Sequence, residues 1–512
     1  MAESLNMDEV NLVWFKRDLR LRDHAPLYNA INADKPLILA YVIEPSLVND
    51  PHYDDRHWCF VWQSLLDLNE QLKHHNAKIT IVYAEAIEAF RWLNQTFNLA
   101  TVFSYEEVGL NKTFQRDRTI QHFLSECDAN WVESPNAGVQ RGLTHRMTWK
   151  KAWRHYLSEP TEDPALEHLH TVDVSLSTQT MEVDGVPVYA FDNQSSVRAF
   201  LKRCGTTNAR FQVGGEKRAW FTLKHFFAER GQSYAKHISK PDLARTSCSR
   251  LSPYLAWGNI SSRQVIRYLN QLPKRSEWRR TYTAFKSRIQ WRSHFIQKFE
   301  SESRMEFEAV NHAYCGYPYR TDDKVDHDLL AWQTGNTGIP LIDACMRALR
   351  ATGYLNFRMR AMLVSFLTHH LNINWQQGVT YLGSLFLDFE PGIHYPQFQM
   401  QAGITGTNTI RLYNPVKQST DHDPDGAFIK KWIPALQKVP KELIHTPWEM
   451  TDLEQSLYDL VLGKDYPLPI VDLTESARHA RDRLWSYRER DDVKAEAKRI
   501  LYRHSLPDSP RT

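Results

Sequence analysis

Residues 331–375 read AWQTGNTGIPLIDACMRALRATGYLNFRMRAMLVSFLTHHLNINW, and this stretch decides the fold of the carboxy-terminal half. Gly335, Gly338 and Gly353 punctuate helical segments, while Arg347, Arg350, Arg358 and Arg360 recur among apolar and aromatic positions. An arginine on an otherwise buried helix is costly unless it is paired. The pattern therefore predicts helices that surround an anionic group. Helical periodicity extends on both sides, from Ser196 to about Leu436, broken by Gly and Pro.

Toward the amino terminus the period changes. Residues 11–15 (NLVWF), 37–43 (LILAYVI), 79–83 (ITIVY) and 101–104 (TVFS) are short apolar, β-branched runs, with helical patterns between them at Trp58–Leu72 and Ala84–Asn98. Strand alternating with helix predicts a parallel sheet covered on both faces, a doubly wound α/β domain over residues 1–135. The charged segment Lys16–Arg22, KRDLRLR, follows the first strand at the edge where such sheets bind ligands. A solvated loop explains it equally well. From about Trp131 to Val197 the period fades and Pro, Ser, Asp and Thr gather, which predicts a connector over 136–195 with a short helix near Thr148–Leu157. Residues 196–512 are expected to form a large all-α domain, ending in one charged surface helix from Glu475 to Leu501.

A chain of 512 residues can build more than one core. Its 16 tryptophans suit stacking on planar ligands, although large helical cores explain them more simply. A net charge of +3 excludes a polycation, so contact with nucleic acid needs a local patch. The six cysteines show no CxxC pair and no zinc-like spacing, which points to a reduced intracellular protein with no metal site. Cys315 and Cys345 alone cannot supply the four ligands of an iron–sulfur cluster. No signal peptide and no apolar run of membrane length is visible. A cytoplasmic monomer with no membrane partner is expected.

Three motifs carry a family resemblance that covers most of the chain. WFKRDLRLRDH (Trp14–His24), CSRLSPY (Cys248–Tyr254), and the opening stretch together with Asp388 and RLYNP (Arg411–Pro415) are similar to the DNA photolyase/cryptochrome family. The resemblance implies FAD in the helical domain. It places Tyr234, Cys248, Ser249, Arg250, Leu251 and Ser252 at the flavin phosphates and an Arg360–Asp388 pair over the ring with Phe389 beside it. Glu390 falls on the adenine and ribose side. The residues themselves allow this, since serine hydroxyls and N–H groups near the helix start at Ser261 can bind a pyrophosphate. A capping turn is the commoner explanation. Cys248 stands where the family has Thr, which removes one hydroxyl donor.

The departures from the family are as informative. His394 corresponds to the residue facing flavin N5, usually Asn. A histidine titrates near neutrality and would make flavin reduction pH-dependent; a hydrogen-bonded structural histidine is the alternative. Of the three tryptophans that relay electrons to the flavin, only Trp375 remains. Phe398 takes the proximal place, and the distal one falls near Asp322, with Tyr317 and Tyr319 close in sequence. On the DNA side, Trp291 matches the tryptophan that stacks on an extruded dimer, with Arg288, Arg292 and Lys240 as cations for phosphates. Arg288, however, replaces a dimer-contacting acid, Phe357 an Asn, Met400 a second Trp wall and Ala361 a Met. The paired histidines of (6–4) photolyases are absent from the same places. Glu107, in YEEVG, resembles a folate-binding acid, the basis for expecting a folate- or flavin-type antenna chromophore.

The resemblance implies a blue-light-driven lyase that repairs UV-induced pyrimidine dimers by electron transfer from reduced FAD, with UV-damaged DNA as partner. The alternative is a cryptochrome-type blue-light photoreceptor without repair activity, and a third reading is a flavoprotein that works in the dark.

Overall fold

A computed structural model of the chain describes residues 9–172, 174, 180–190, 194–206 and 208–505. Two compact units share the sequence. The first comprises 1–141, 149–224 and 251–274, the second 142–148, 225–250 and 275–512.

In the first unit a seven-stranded sheet is built from β1 (Val10–Phe15), β2 (Leu37–Ile43), β3 (Ile79–Tyr83), β4 (Leu99–Tyr105), β5 (Asn130–Ser134), β6 (Thr180–Val183) and β7 (Val186–Ala190), in the order β5-β4-β1-β2-β3-β7-β6. All pairings are parallel except β6 with β7. Every residue of β1 and β2 is buried, because helices cover both faces, and this is why those strands read as unbroken apolar runs rather than alternating ones. The helices Asp55–Leu72 and Ala86–Phe97 stand where the 3.6-residue period places them.

The connector expected over 136–195 contains more structure than its composition suggests. Its short helix is Trp149–Ser158. The hairpin of β6 and β7 lies inside it and extends the sheet beside β3. Asp184 and Gly185 both take positive φ (51° and 74°), as a two-residue Asp-Gly hairpin turn requires. Within that connector, residues 173, 175–179 and 191–193 lie outside the described residues.

The second unit is helical. Its long helix Arg279–Ser301 packs along Pro391–Gln401, with Phe299 stacked on Tyr395 at 5.9 Å. A side chain at Gly392 would bring its Cβ to 3.0 Å from the Ile296 Cα, so the close approach of the two helices needs glycine there. The single tail helix expected at Glu475–Leu501 is instead two, Leu473–Arg488 and Asp491–His504. Asp491 and Asp492 are acids suited to a new helix start, and the Arg490 guanidinium folds onto the Asp492 carboxylate at the break. Among the described residues no helix is long and apolar enough to cross a membrane.

Candidate functional site

The second unit gathers most of the residues singled out for a flavin. Arg360 forms a two-pronged pair with Asp388, at 2.9 and 2.8 Å, and its Nε donates to the Leu355 carbonyl at 2.7 Å. Its guanidinium lies 3.9 Å from the centre of the Phe386 ring. Three donors directed to fixed acceptors leave the guanidinium one orientation. Phe389 is buried beside Asp388 and packs on the His394 ring at 5.3 Å.

The quoted arginines do not all serve an anion. Arg347 donates to the Gly335 carbonyl and the Asn336 side chain, and Arg350 to the Thr334 carbonyl. Both therefore close the carboxy-terminal end of the helix Val325–Thr334, where cations are favoured. Arg358 reaches Gln418.

The positive charge comes from elsewhere. Arg230 donates to the carbonyls of Thr246, Cys248 and Ser249, clamping the loop that carries Cys248, Ser249 and Arg250. Arg250 sits at φ +59° with its guanidinium 3.6 Å over the Tyr354 ring. Burial pushes Arg250 down to about 10, Tyr354 and Asp388 pull it up, and the like charges of Arg245 and Arg230 push it down. Arg245 hangs over the same tyrosine ring at 5.7 Å and is lowered by burial too. A buried Arg250 lowered by the like charges of Arg245 and Arg230 marks a region short of negative charge, which a pyrophosphate would supply.

Tyr234 is buried, and the Arg288 guanidinium bonds to its hydroxyl. Burial raises the Cys248 thiol to about 11, so it stays protonated and neutral at pH 7. Asn356 is buried as well: its amide N–H donates to Ile238, while its Oδ1 has no hydrogen-bond partner. A buried acceptor left open is costly without a ligand donor. The arginine cluster and this open acceptor fit FAD.

Sequence reasoning missed Arg230, Arg245, Tyr354 and Asn356. Tyr354 and Asn356 lie inside the quoted stretch, but the two arginines carry no local signal. Leu251, buried, and Ser252, exposed, follow directly on Arg250 and open the segment that groups with the first unit. The helix start at Ser261 offers no anion site. Ser261 and Gln264 cap each other reciprocally, and Asp23 takes the Ser261 hydroxyl.

Around the expected ring position, the His394 Nε2 faces the Val379 carbonyl at 2.7 Å, inside a cage of Phe386, Phe389, Tyr395 and Phe398. Trp375 and Phe398 are buried with ring centres 6.3 Å apart. Tyr317 and Tyr319 join Tyr314 and Tyr487 in a ladder of rings spaced 4.8 to 5.1 Å, and Asp322 pairs with Arg320 at the surface.

The residues matched to the DNA side divide. Trp291 and Phe357 are 49% and 47% exposed, unusual for rings of that size. Trp291 stacks on Phe295 at 5.7 Å. Arg292, by contrast, pairs with Glu390 at 3.0 Å. Met400 and Lys240 are half-buried and Ala361 is buried.

Two family descriptions match the chain, "DNA photolyase" over residues 11–165 and "FAD binding domain of DNA photolyase" over 285–486. A cryptochrome DASH from Xenopus laevis is 31% identical over 494 residues, covering 91% of this chain and 90% of that protein. The chain belongs to the DNA photolyase/cryptochrome family. A deoxyribodipyrimidine photo-lyase from Alkalihalophilus pseudofirmus is 28% identical, covering 93% of this chain and 98% of the relative. The crystal structure of a cryptochrome from Synechocystis shares the fold with a TM-score of 0.80 at 22% identity, covering 93% of this chain and 99% of the other. Photolyases and cryptochromes thus stand side by side among its relatives, and this member carries the family's FAD-binding domain.

In the first unit, KRDLRLR is not a solvated loop. Lys16, Asp18 and Arg20 are buried; Asp18 pairs with His24 at 2.9 Å, and Arg20 bonds to the Asp23 carbonyl, the Gly258 carbonyl and the Tyr105 hydroxyl. A cavity of about 40 Å³ at the strand ends is lined by Trp14, Arg17, Tyr53, Glu107, Arg116 and Trp257 among others. Arg116 already holds Glu107, Glu44 and Asp117 at 2.7 to 2.8 Å. Pockets for ligands of flavin or folate size are about 300 Å³ or more. With its side chains arranged in this way the cavity is smaller than that.

Proposed function

We propose that this chain is a DNA photolyase that uses reduced FAD and blue light to split UV-induced pyrimidine dimers. The observation that carries the reading is Trp291, a half-exposed ring on the helix Arg279–Ser301 whose neighbouring residues Arg288 and Arg292 reach Tyr234 and Glu390. One helix thereby joins a solvent-facing stacking surface to the residues assigned to the cofactor. When bound, the reduced flavin supplies the light-excited electron that opens the dimer and takes it back afterwards.

The protein's own residues bind, orient and exclude water. Arg250 and Arg245 meet the pyrophosphate on a loop that Arg230 shapes, Tyr234 and Ser249 complete that contact, and Cys248 contributes a neutral thiol. Asp388 aims Arg360, whose fixed charge favours the anionic ring. Phe389 and Phe398 keep water from it, and Glu390 serves the adenine and ribose side. Trp291 stacks on the extruded base, and Phe357, exposed to the same degree, offers a second aromatic surface with Met400. Arg288 brings positive charge to the phosphates. The reading does not extend to an antenna at Glu107, whose carboxylate is engaged by Arg116.

A blue-light photoreceptor is the second reading, and the replacement of an oxidisable tryptophan by Phe398 favours it. Repair by chemically reduced protein under blue light separates the two. Its substrates are single- and double-stranded oligonucleotides bearing a cyclobutane dimer or a (6–4) photoproduct. Light-dependent restoration of either lesion supports the lyase. Reduced, flavin-loaded protein that restores neither leaves the photoreceptor.

A further inference from the structure

We propose that Glu308, His312 and Cys315 form a site for a divalent metal of the zinc class, with the fourth position open to water. The three residues follow one another as Glu-x3-His-x2-Cys on the turns Ser303–Glu306 and His312–Gly316 and the loop between them. One ligand atom from each lies within 4.8 Å of the other two. The His312 Nδ1 is 3.2 Å from the Glu308 Oε2 and 3.6 Å from the Cys315 Sγ. Zinc bond lengths at a tetrahedral angle place ligand nitrogen and oxygen about 3.4 Å apart, and nitrogen and sulfur about 3.6 Å apart. These two edges match those spacings, with the imidazole nitrogen at their common corner.

The carboxylate is also held from behind. Arg304 donates to the other oxygen of Glu308, Oε1, at 2.7 Å and is itself fixed by Glu302 and by the Val310 carbonyl. That division leaves Oε2 directed at His312, as the outer partners of metal ligands do. The loop is anchored in turn by Gln399, whose side chain bonds to Met305, Glu308 and Val310 backbone groups. The Tyr487 hydroxyl donates to the Ala313 carbonyl. Binding would release the Cys315 thiol proton to solvent, and thiolate, carboxylate and neutral imidazole together would balance the two charges of the ion. Cysteine spacing alone could not show this site, because it uses one residue of each ligand type.

Zinc counting on the full chain tests it. Thiol-reduced, metal-stripped protein dialysed against micromolar free zinc should retain one zinc that Cys315→Ser and His312→Ala lose, and Glu308→Gln should weaken retention at least tenfold. Zinc-edge absorption should show one sulfur at about 2.3 Å with lighter ligands at about 2.0–2.2 Å. No retained zinc, equal retention by Cys315→Ser, or a zinc shell without sulfur would overturn the proposal. Cys315 and His312 are exposed, so these variants keep the fold.

Discussion

Arg292 and Glu390 form an ion pair, Nη2 to Oε2 at 3.0 Å, with both side chains largely shielded from water. The pair joins a cation expected to meet DNA phosphates with an acid expected to meet FAD. A guanidinium already matched by a carboxylate adds little to a phosphate field, whereas its loss would leave Glu390 an uncompensated buried charge. Arg292→Ala should therefore lower flavin retention about tenfold or more, read as flavin absorbance per protein after gel filtration. The salt dependence of DNA binding should stay unchanged, because one phosphate contact fewer would reduce the log–log slope by about 1. A variant with full flavin and a shallower slope would return Arg292 to the DNA side.

Arg230 makes the second prediction. It binds three carbonyls, those of Thr246, Cys248 and Ser249, and in the proposed binding mode acts on the flavin through the loop it shapes. Arg230→Lys keeps the charge but cannot span three acceptors. It should cost flavin affinity by roughly ten- to a hundredfold, about 1.4–2.8 kcal/mol, while the thermal transition of the first unit stays in place. Equal flavin affinity in the variant would mean that the loop holds its shape without the clamp.

How much was legible follows from where each signal is stored. The parallel strands were visible because burial on both faces writes continuous apolar runs into the chain, as in Val10–Phe15. The β6–β7 hairpin was not, although Asp184-Gly185 marks its turn, because its strands are short and flanked by polar residues. Arg360 and Asp388 could be paired through a motif. Arg230 could not, because its role depends on backbone carbonyls 16 to 19 positions away, and a carbonyl has no residue type. The opposite error arose at Arg347 and Arg350. Their spacing among apolar positions suggested an anion, yet they serve the end of a neighbouring helix. Periodicity reports that a cation is shielded, not what shields it.

A pH effect should come from Lys298. Burial first, and then the like charges of Arg146 and Arg499, push its ammonium down to about 8 against the pull of Glu302. Its unfolded value is about 10.4, so between pH 8 and about 10.4 the unfolded chain binds more protons than the folded one. Stability from this group then rises with pH through that window, and below pH 8 the penalty is complete. Lys298→Met should remove it, raising stability at pH 7 by up to about 3 kcal/mol. The difference between the melting temperatures of variant and native protein should shrink from pH 8 to 10. A difference that does not change with pH would show that Lys298 is charged at no cost.

The last prediction separates stability, cofactor and substrate at one residue. Trp291 is half-exposed and stacks on Phe295 at 5.7 Å, with His294 edge-on at 5.6 Å. A ring so placed contributes little to the core, and Trp291→Ala should change stability by about 0.5 kcal/mol or less. It should leave flavin content untouched, because the helix's ties to Tyr234 and Glu390 run through Arg288 and Arg292. Stacking of a base on an aromatic side chain is worth about 1–3 kcal/mol. Affinity for a dimer-bearing oligonucleotide should accordingly fall by roughly 5- to 150-fold, with Trp291→Phe recovering part of it. Affinity for undamaged duplex, which rests on phosphate contacts, should not follow. If native protein binds damaged and undamaged DNA alike and Trp291→Ala changes neither, the exposed ring is not a stacking surface for an extruded base, and the case for the photoreceptor gains what the lyase loses.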